Sequence, residues 1–360
     1  MQTNMSNLAQ NILSQANSFH AVLDSQCGPG RKPLLEAAAL LRSGRRVLIT
    51  GIGASKYAAV PLEYDLCSHG IPAVGMEAGE LLHFSHPAFR DSIVVIVSRS
   101  GESIEIVKLL DVLKGRQTIV GVTNEADSVL AKSADCTLLV GSLTDEMVAI
   151  QTYTGTLLAL HLLGAAVTQQ FGPACEILGA LHSEFDRVVV ENMNTAEEWD
   201  RFLLPPQPVY LLTRGPSCAS AFEGALLFNE IAKTTAVGQT AGSFRHGPAE
   251  VVDEAFRGIL FVPQGPTRDM TLSLGCDLIR FGGQVSMIGS ELELAGAVLT
   301  RKIPKAPSSL APLFEIVPIQ VAALRMAQLR GIVPGSFRYT QQVTRDEASF
   351  GTNGASVNAK

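Results

Sequence analysis

Two groups of residues in this chain have the types and spacing for chemistry. The first is Val97-Ser98-Arg99-Ser100-Gly101-Glu102-Ser103, which ends the apolar run Ile93 to Val97 with hydroxyls and a glycine where a helix should begin. Unpaired N–H groups at a helix start carry the positive end of the helix dipole, and serine hydroxyls add neutral donors, so the segment suits a bound phosphate. Such a loop holds a phosphate ester rather than transferring it; the plainer alternative is an ordinary helix N-cap. The second group is Glu223, Glu230 and the turn Arg245-His246-Gly247-Pro248. Glu230 follows Glu223 by two helical turns in a predicted helix from Phe222 to Lys233, so both carboxylates share a face. A carboxylate beside Ala225-Leu226-Leu227-Phe228 has the surroundings that raise a pKa and make a base for a carbon acid, unless it pairs with Lys233 or Arg214. His246, in its tight turn, could pass a proton to a ring oxygen. Its counterpart His83 leaves a structural role open.

The elements that must position these groups repeat. Landmarks recur about 163 residues apart: Val47-Leu48-Ile49-Thr50 with Gly53-Ala54-Ser55 against Tyr210-Leu211-Leu212-Thr213 with Gly215-Pro216-Ser217, and Ala78 to His83 against Ala241 to His246. The serine loop is not repeated, since Pro263-Gln264-Gly265-Pro266-Thr267 stands in its place. One half therefore anchors and the other supplies acid–base groups. Short apolar strands alternate with helices in both halves, at 46, 71, 92, 118 and 136 and again near 208, 235, 258, 284 and 298. That alternation predicts an α/β protein of two tandem doubly wound parallel-sheet domains related by internal duplication. The expected division is an N-terminal helix in 1–30, domains at 31–172 and 190–333 around a join at 172–206, and a C-terminal tail at 334–360 that is loose from Gly351. In open parallel sheets ligands bind beyond the carboxyl ends of the strands, which puts Ser55, after the first strand, and Ser98, Ser100 and Ser103, after the third, on one edge.

Composition narrows the class. The chain has 360 residues, 46% hydrophobic and 17% charged, with a net charge of −6. That balance disfavours nucleic acid, no apolar run reaches the roughly 18 residues of a membrane span, and the apolar excess suggests a subunit interface. The six cysteines form no Cys-x-x-Cys pair, no basic-then-apolar signal opens the chain, and a reduced, cytoplasmic protein with cysteines as small core or loop residues is expected. Histidine spacing gives no support for a metal. Gly51-Ile52-Gly53-Ala54-Ser55 lacks the third glycine of a dinucleotide loop, Lys56 standing there. No cofactor is expected.

Ser-x-Ser-Gly-Glu-Ser in the first half, with Glu-Gly-Ala-Leu-x-x-x-Glu and Arg-His-Gly-Pro in the second, resembles the sugar-isomerase (SIS) family. Its members include the isomerase portion of glutamine–fructose-6-phosphate aminotransferases, amino-sugar phosphate deaminases, ketose/aldose isomerases and fructosamine-6-phosphate deglycases. The resemblance covers about residues 30 to 345 and implies flavodoxin-like SIS domains. It also implies that Ser55, Ser98, Ser100 and Ser103 hold a sugar phosphate and that Glu230 moves a proton between C1 and C2. The resemblance further implies that His246, reaching across a homodimer interface, opens the ring; Glu223, on the helix face of Glu230, is a further catalytic candidate. Three departures bear on the reaction. Met1 is followed by Gln2 and a short helix, so a cysteine-led glutaminase domain is not expected. The family's C-terminal Schiff-base lysine should fall in Tyr339 to Thr344, where Gln341 and Gln342 stand, and an amide forms no imine with a ketone. The lysine of the Glu-Gly-Ala-Leu helix is Leu227. The expected function is a phosphosugar isomerase or amino-sugar phosphate deaminase or deglycase; the alternative is a non-catalytic phosphosugar sensor.

Overall fold

The computed structural model describes residues 6–348; the segment from Gly351 lies outside them. Five apolar strands, β1 (Val47–Gly51), β2 (Ala73–Glu77), β3 (Ile93–Val97), β4 (Thr118–Thr123) and β5 (Cys136–Leu139), form one parallel sheet in the order β2-β1-β3-β4-β5. Five more, β6 (Val209–Thr213), β7 (Ala236–Thr240), β8 (Arg257–Val262), β9 (Gln284–Gly289) and β10 (Leu299–Lys302), form a second in the equivalent order β7-β6-β8-β9-β10. All ladders are parallel. The shared order makes this an α/β fold of two flavodoxin-like sheets. β1 and β3 are fully buried along their length, as strands covered on both faces must be.

The predicted N-terminal helix is two, Asn7–Leu13 and Gln15–Cys27, which bury Ile12, Phe19 and Val22. The join differs more from expectation. Instead of a plain connection, Phe171–Asn194 is a 24-residue helix that buries Leu178, Phe185, Val188 and Val189. Those side chains stand seven, three and one residues apart, a helical stripe that Trp199 and Pro205-Pro206 downstream had obscured. The buried helices Gln151–Val167, Cys218–Ala232 and Ala311–Leu329 lie between the halves and share with both one continuous core.

Within that core Glu315 is wholly buried and accepts hydrogen bonds from Ser217 Oγ at 2.8 Å and Ser220 Oγ at 2.7 Å, joining the last helix to the start of Cys218–Ala232. Burial, only partly opposed by the two hydroxyls, pushes its carboxyl up to about 7. A carboxyl raised in the folded state contributes its full stability below the unfolded value, near 4.5, and loses it as pH climbs through about 7. The stability of the wild type relative to Glu315→Gln should therefore fall by roughly 3 kcal/mol between pH 4 and 8, as read from urea unfolding of both proteins. A pH-independent difference would refute this.

Candidate active site

The loops that follow β1 and β3 leave neighbouring parallel strands, paired from Val47↔Ile93 to Thr50↔Ile96, and open on the same edge at the point where the strand order reverses. In the β3 loop Gly101 has φ +63°, and a Cβ there would stand 2.4 Å from Ser128 Oγ. Only glycine makes this turn, and the turn aims the serines inward. A cavity of about 310 Å³ opens there, lined by Ser55, Ser98, Ser100, Ser103 and, from the second half, Glu230. The sequence-predicted phosphate ligands and the predicted base thus converge on one space.

The hydroxyls of Ser55, Ser98 and Ser100 each accept a backbone N–H. Ser55 Oγ accepts the Arg99 N–H at 3.4 Å, Ser98 Oγ that of Gly101 at 3.1 Å and Ser100 Oγ that of Glu102 at 3.2 Å. A hydroxyl that accepts from the backbone keeps its own proton to donate. Ser103 occupies the N-cap position of helix Ile104–Leu113, yet its side chain makes no capping bond, which removes the ordinary N-cap reading. Glu102 is turned away; its Oε1 accepts the Val129 N–H at 2.7 Å, so no carboxylate of this loop enters the cradle.

Arg99 also lines the cavity and donates through Nη2 to the Gln342 carbonyl at 3.3 Å. Beside the serines' neutral donors the cavity thus also holds a cation. Burial pushes its pKa down, opposed by Asp145, Glu230 and Glu125. Glu230 stands near the end of helix Cys218–Ala232. Burial raises its carboxyl to about 7, with Lys233 and Arg99 pulling the other way. Its carboxylate forms no ion pair among the described residues: Lys233 Nζ donates instead to the backbone carbonyls of Glu230 and Ser336 and sits over the Phe337 ring.

The C-terminal segment helps to build the site, in the stretch Tyr339 to Thr344 where the resemblance places the family's Schiff-base lysine. Phe337, Thr340, Gln341, Gln342 and Thr344 line the cavity. Gln342 Nε2 donates to the carbonyls of Asp145 at 3.1 Å and Glu146 at 2.8 Å, while the Ile104 N–H donates to Thr344 O at 3.0 Å. Glu347 pairs with Lys108 and, at 3.1 Å, with His83 Nε2. The segment comes to the first half from far along the sequence, so no local pattern points to its contacts; only the resemblance places Tyr339 to Thr344 at the site.

Residues 40–166 match the model of the SIS domain. The chain carries an SIS domain. It is 28% identical over 308 residues to glutamine–fructose-6-phosphate aminotransferase [isomerizing] of Pyrococcus horikoshii, with 83% of this chain and 51% of that protein covered. The chain thus spans about half the length of the curated relatives it matches. Among solved structures, the C-terminal domain of glucosamine-fructose-6-phosphate aminotransferase from Francisella tularensis superposes with a TM-score of 0.82 at 19% identity, covering 91% of this chain and 97% of that one. Tagatose-6-phosphate ketose/aldose isomerase from Escherichia coli gives 0.76 at 19% identity, covering 92% and 96%. Glucosamine-6-phosphate deaminase from Thermotoga maritima gives 0.67 at 20% identity, covering 88% and 99%. At these identities the likeness is one of fold. The SIS domain supplies the serine cradle, and the half that repeats its strand order supplies Glu230.

Two expected site residues do not reach this cavity. Glu223 shares the helix face of Glu230 but lies two turns, about 10 Å, deeper. It is 1% exposed and neither carboxylate oxygen has a hydrogen-bond partner among the described residues. Burial, reinforced by Glu230 and Asp145, raises its pKa well above the ordinary carboxylate value. His246 is exposed, and its ring has no hydrogen-bond partner among the described residues; the turn is closed by its backbone N–H donating to Ser243 O at 3.0 Å. Leu227 is fully buried, and no lysine lines the cavity among the described residues. No group of three or more His, Cys, Asp or Glu that could hold a metal ion is found among the described residues, and no helix there is long and apolar enough to cross a membrane.

Proposed function

We propose that this protein is a phosphosugar isomerase, or an amino-sugar phosphate deaminase or deglycase, acting on a hexose 6-phosphate or amino-sugar 6-phosphate by proton transfer between C1 and C2. The observation that carries this reading is the convergence of Ser55, Ser98, Ser100 and Ser103 with Glu230 on one cavity. Phosphate lies in the cradle against the serine O–H groups. The open-chain sugar extends toward Glu230, whose carboxylate takes the proton at C1 of a ketose or C2 of an aldose. An enediol forms, or an enolamine when C2 carries nitrogen, and the same carboxyl returns the proton to the neighbouring carbon. A base with pKa near neutrality suits both halves of that exchange. Among the described residues no lysine lines the cavity, so the nitrogen chemistry proposed is that of an amine the substrate already carries. Ring opening is assigned to His246 of a second copy in a homodimer, a role its exposed, unpartnered ring leaves it free to take.

The rate should rise with pH along a limb centred near 7, because the ionised Glu230 is the active form. Lys233 lowers the pKa of Glu230, so Lys233→Met should move that limb to higher pH. A kcat/KM profile for fructose 6-phosphate conversion, with both proteins followed by NMR of the product sugar, tests the reading. An unshifted limb would detach the titration from Glu230, and no product from any hexose 6-phosphate or amino-sugar 6-phosphate would remove the reaction itself.

A second reading, a phosphosugar sensor without turnover, draws on the same cavity. Gln341 and Gln342 line it where the resemblance places an imine-forming lysine, and His246 stands outside it. It predicts binding of the same sugars with no chemical change.

A further inference from the structure

The helix Gln15–Cys27 and the helix Phe171–Asn194 lie side by side and antiparallel, fixed by contacts along their length. His182 Nε2 meets the Ala16 carbonyl at 2.9 Å, the rings of Phe19 and Phe185 are 5.3 Å apart, and the Arg31 guanidinium sits 5.6 Å from the Phe171 ring centre. At the end of this seam stand Cys27, the last residue of its helix, and Cys175, with their Sγ atoms 2.7 Å apart. The contact is closer than two unbonded sulfurs prefer, and packing on either side holds the thiols together. Cys27 is exposed and Cys175 is half-buried, so a small reagent reaches the pair from solvent. Cys136 and Cys218 are buried singly, as core cysteines are expected to be.

We propose that Cys27 and Cys175 form an oxidisable dithiol site, which a small-molecule disulfide converts to an intramolecular cross-link between the N-terminal helix and the helix that joins the two halves. Cys27, deprotonated, attacks one sulfur of the reagent and expels the first small thiol. Cys175 then loses its proton and attacks the Cys27 sulfur of the mixed disulfide, which forms the protein S–S bond and expels the second. Two electrons pass from the protein thiols to the reagent, which leaves as two thiols. The order follows from the surroundings. Burial and the neighbouring Cys27 hold the Cys175 thiol up at about 12, so the exposed Cys27 reacts first. The bond closes a loop of 148 residues, a separation at which a cross-link restricts the unfolded chain strongly. The helix it fastens also holds the segment after β5, through Ser18 Oγ to the Leu143 N–H at 3.1 Å and Gln26 Nε2 to the Val140 carbonyl at 3.1 Å.

The inference does not depend on the proposed reaction, and its test uses no activity. The full chain is incubated with oxidised glutathione at several protein concentrations, denatured, alkylated and mapped without reduction. The expected result is a fall in alkylatable cysteines from six to four and a Cys27–Cys175 linked peptide whose yield is independent of protein concentration. The thermal unfolding midpoint should rise on oxidation and return with a reducing thiol, and Cys27→Ser and Cys175→Ser should each lose both effects. Stable glutathione adducts on Cys27 or Cys175, a linkage through Cys67 or Cys276 instead, or six thiols still free would each overturn it.

Discussion

Glu230→Gln should lower the rate of C1–C2 proton transfer by about 10³-fold, within the range that a positioned general base contributes, equivalent to about 4 kcal/mol of transition-state stabilisation. The substitution keeps the shape and size of the side chain at the end of helix Cys218–Ala232 and removes only its ability to take a proton. The Kd for fructose 6-phosphate should stay within about threefold, because the serines proposed to anchor the phosphate lie in the other half of the molecule. The loss should appear in kcat and leave KM almost unmoved. Isothermal titration together with steady-state kinetics separates the two. A variant that turns over normally would remove Glu230 from the reaction, and one that neither binds nor folds would be recognised by its unfolding midpoint.

The second large effect is expected at the cradle. Ser100→Asp places a carboxylate where the phosphate should lie, and the aspartate oxygen can still accept the Glu102 N–H that Ser100 Oγ accepts now, so the loop keeps its turn. Two like charges a few ångströms apart in a partly buried site repel by several kcal/mol. Affinity for fructose 6-phosphate should fall by about 100-fold, roughly 2.7 kcal/mol, while the weak affinity for unphosphorylated fructose is unchanged. Equal losses for both ligands would mean that the loop contacts the sugar rather than the phosphate. No loss for either would mean that the cradle is empty during function.

The part of this site that the sequence reveals is the part built from contiguous residues. Ser98, Ser100, Gly101 and Ser103 sit in one loop after one strand, and a loop between a buried strand and a helix has few places to go. Glu230 was legible because seven residues on a helix fix a face; its depth was not, which is why Glu223 was grouped with it although it ends in the core. Arg99 lay inside the motif, but nothing local tells whether its side chain turns into a cavity or out to solvent. Gln342 and Thr344 are harder still, since their partners Asp145 and Ile104 are roughly two hundred residues away. The fold reads in the same manner. Strands with continuous apolar runs, such as Ile93–Val97, announce themselves, as does their recurrence after about 163 residues. Helix Phe171–Asn194 carries its stripe openly, but the prolines downstream favoured a linker reading, and its partner across the seam, Gln15–Cys27, cannot be inferred from either segment alone.

The placement of His246 also marks how far the sequence can go. The single chain leaves it exposed and outside the cavity, so the ring-opening role proposed for it requires a second copy. His83, its counterpart, is held at 3.1 Å by Glu347 of the segment that lines the site. The two copies of one histidine have therefore been given different surroundings by the loops that diverged.

Glu230 is proposed to move a proton between C1 and C2 of a bound sugar phosphate. Proton NMR of fructose 6-phosphate and glucosamine 6-phosphate incubated with the protein in D₂O tests this most directly, since a carboxyl lining a solvent-open cavity exchanges the proton it carries. Deuterium should enter at C1 of the first or C2 of the second, and this exchange should disappear in Glu230→Gln. Saturating binding of both sugars with no deuterium in either would contradict it and put the sensor reading in its place.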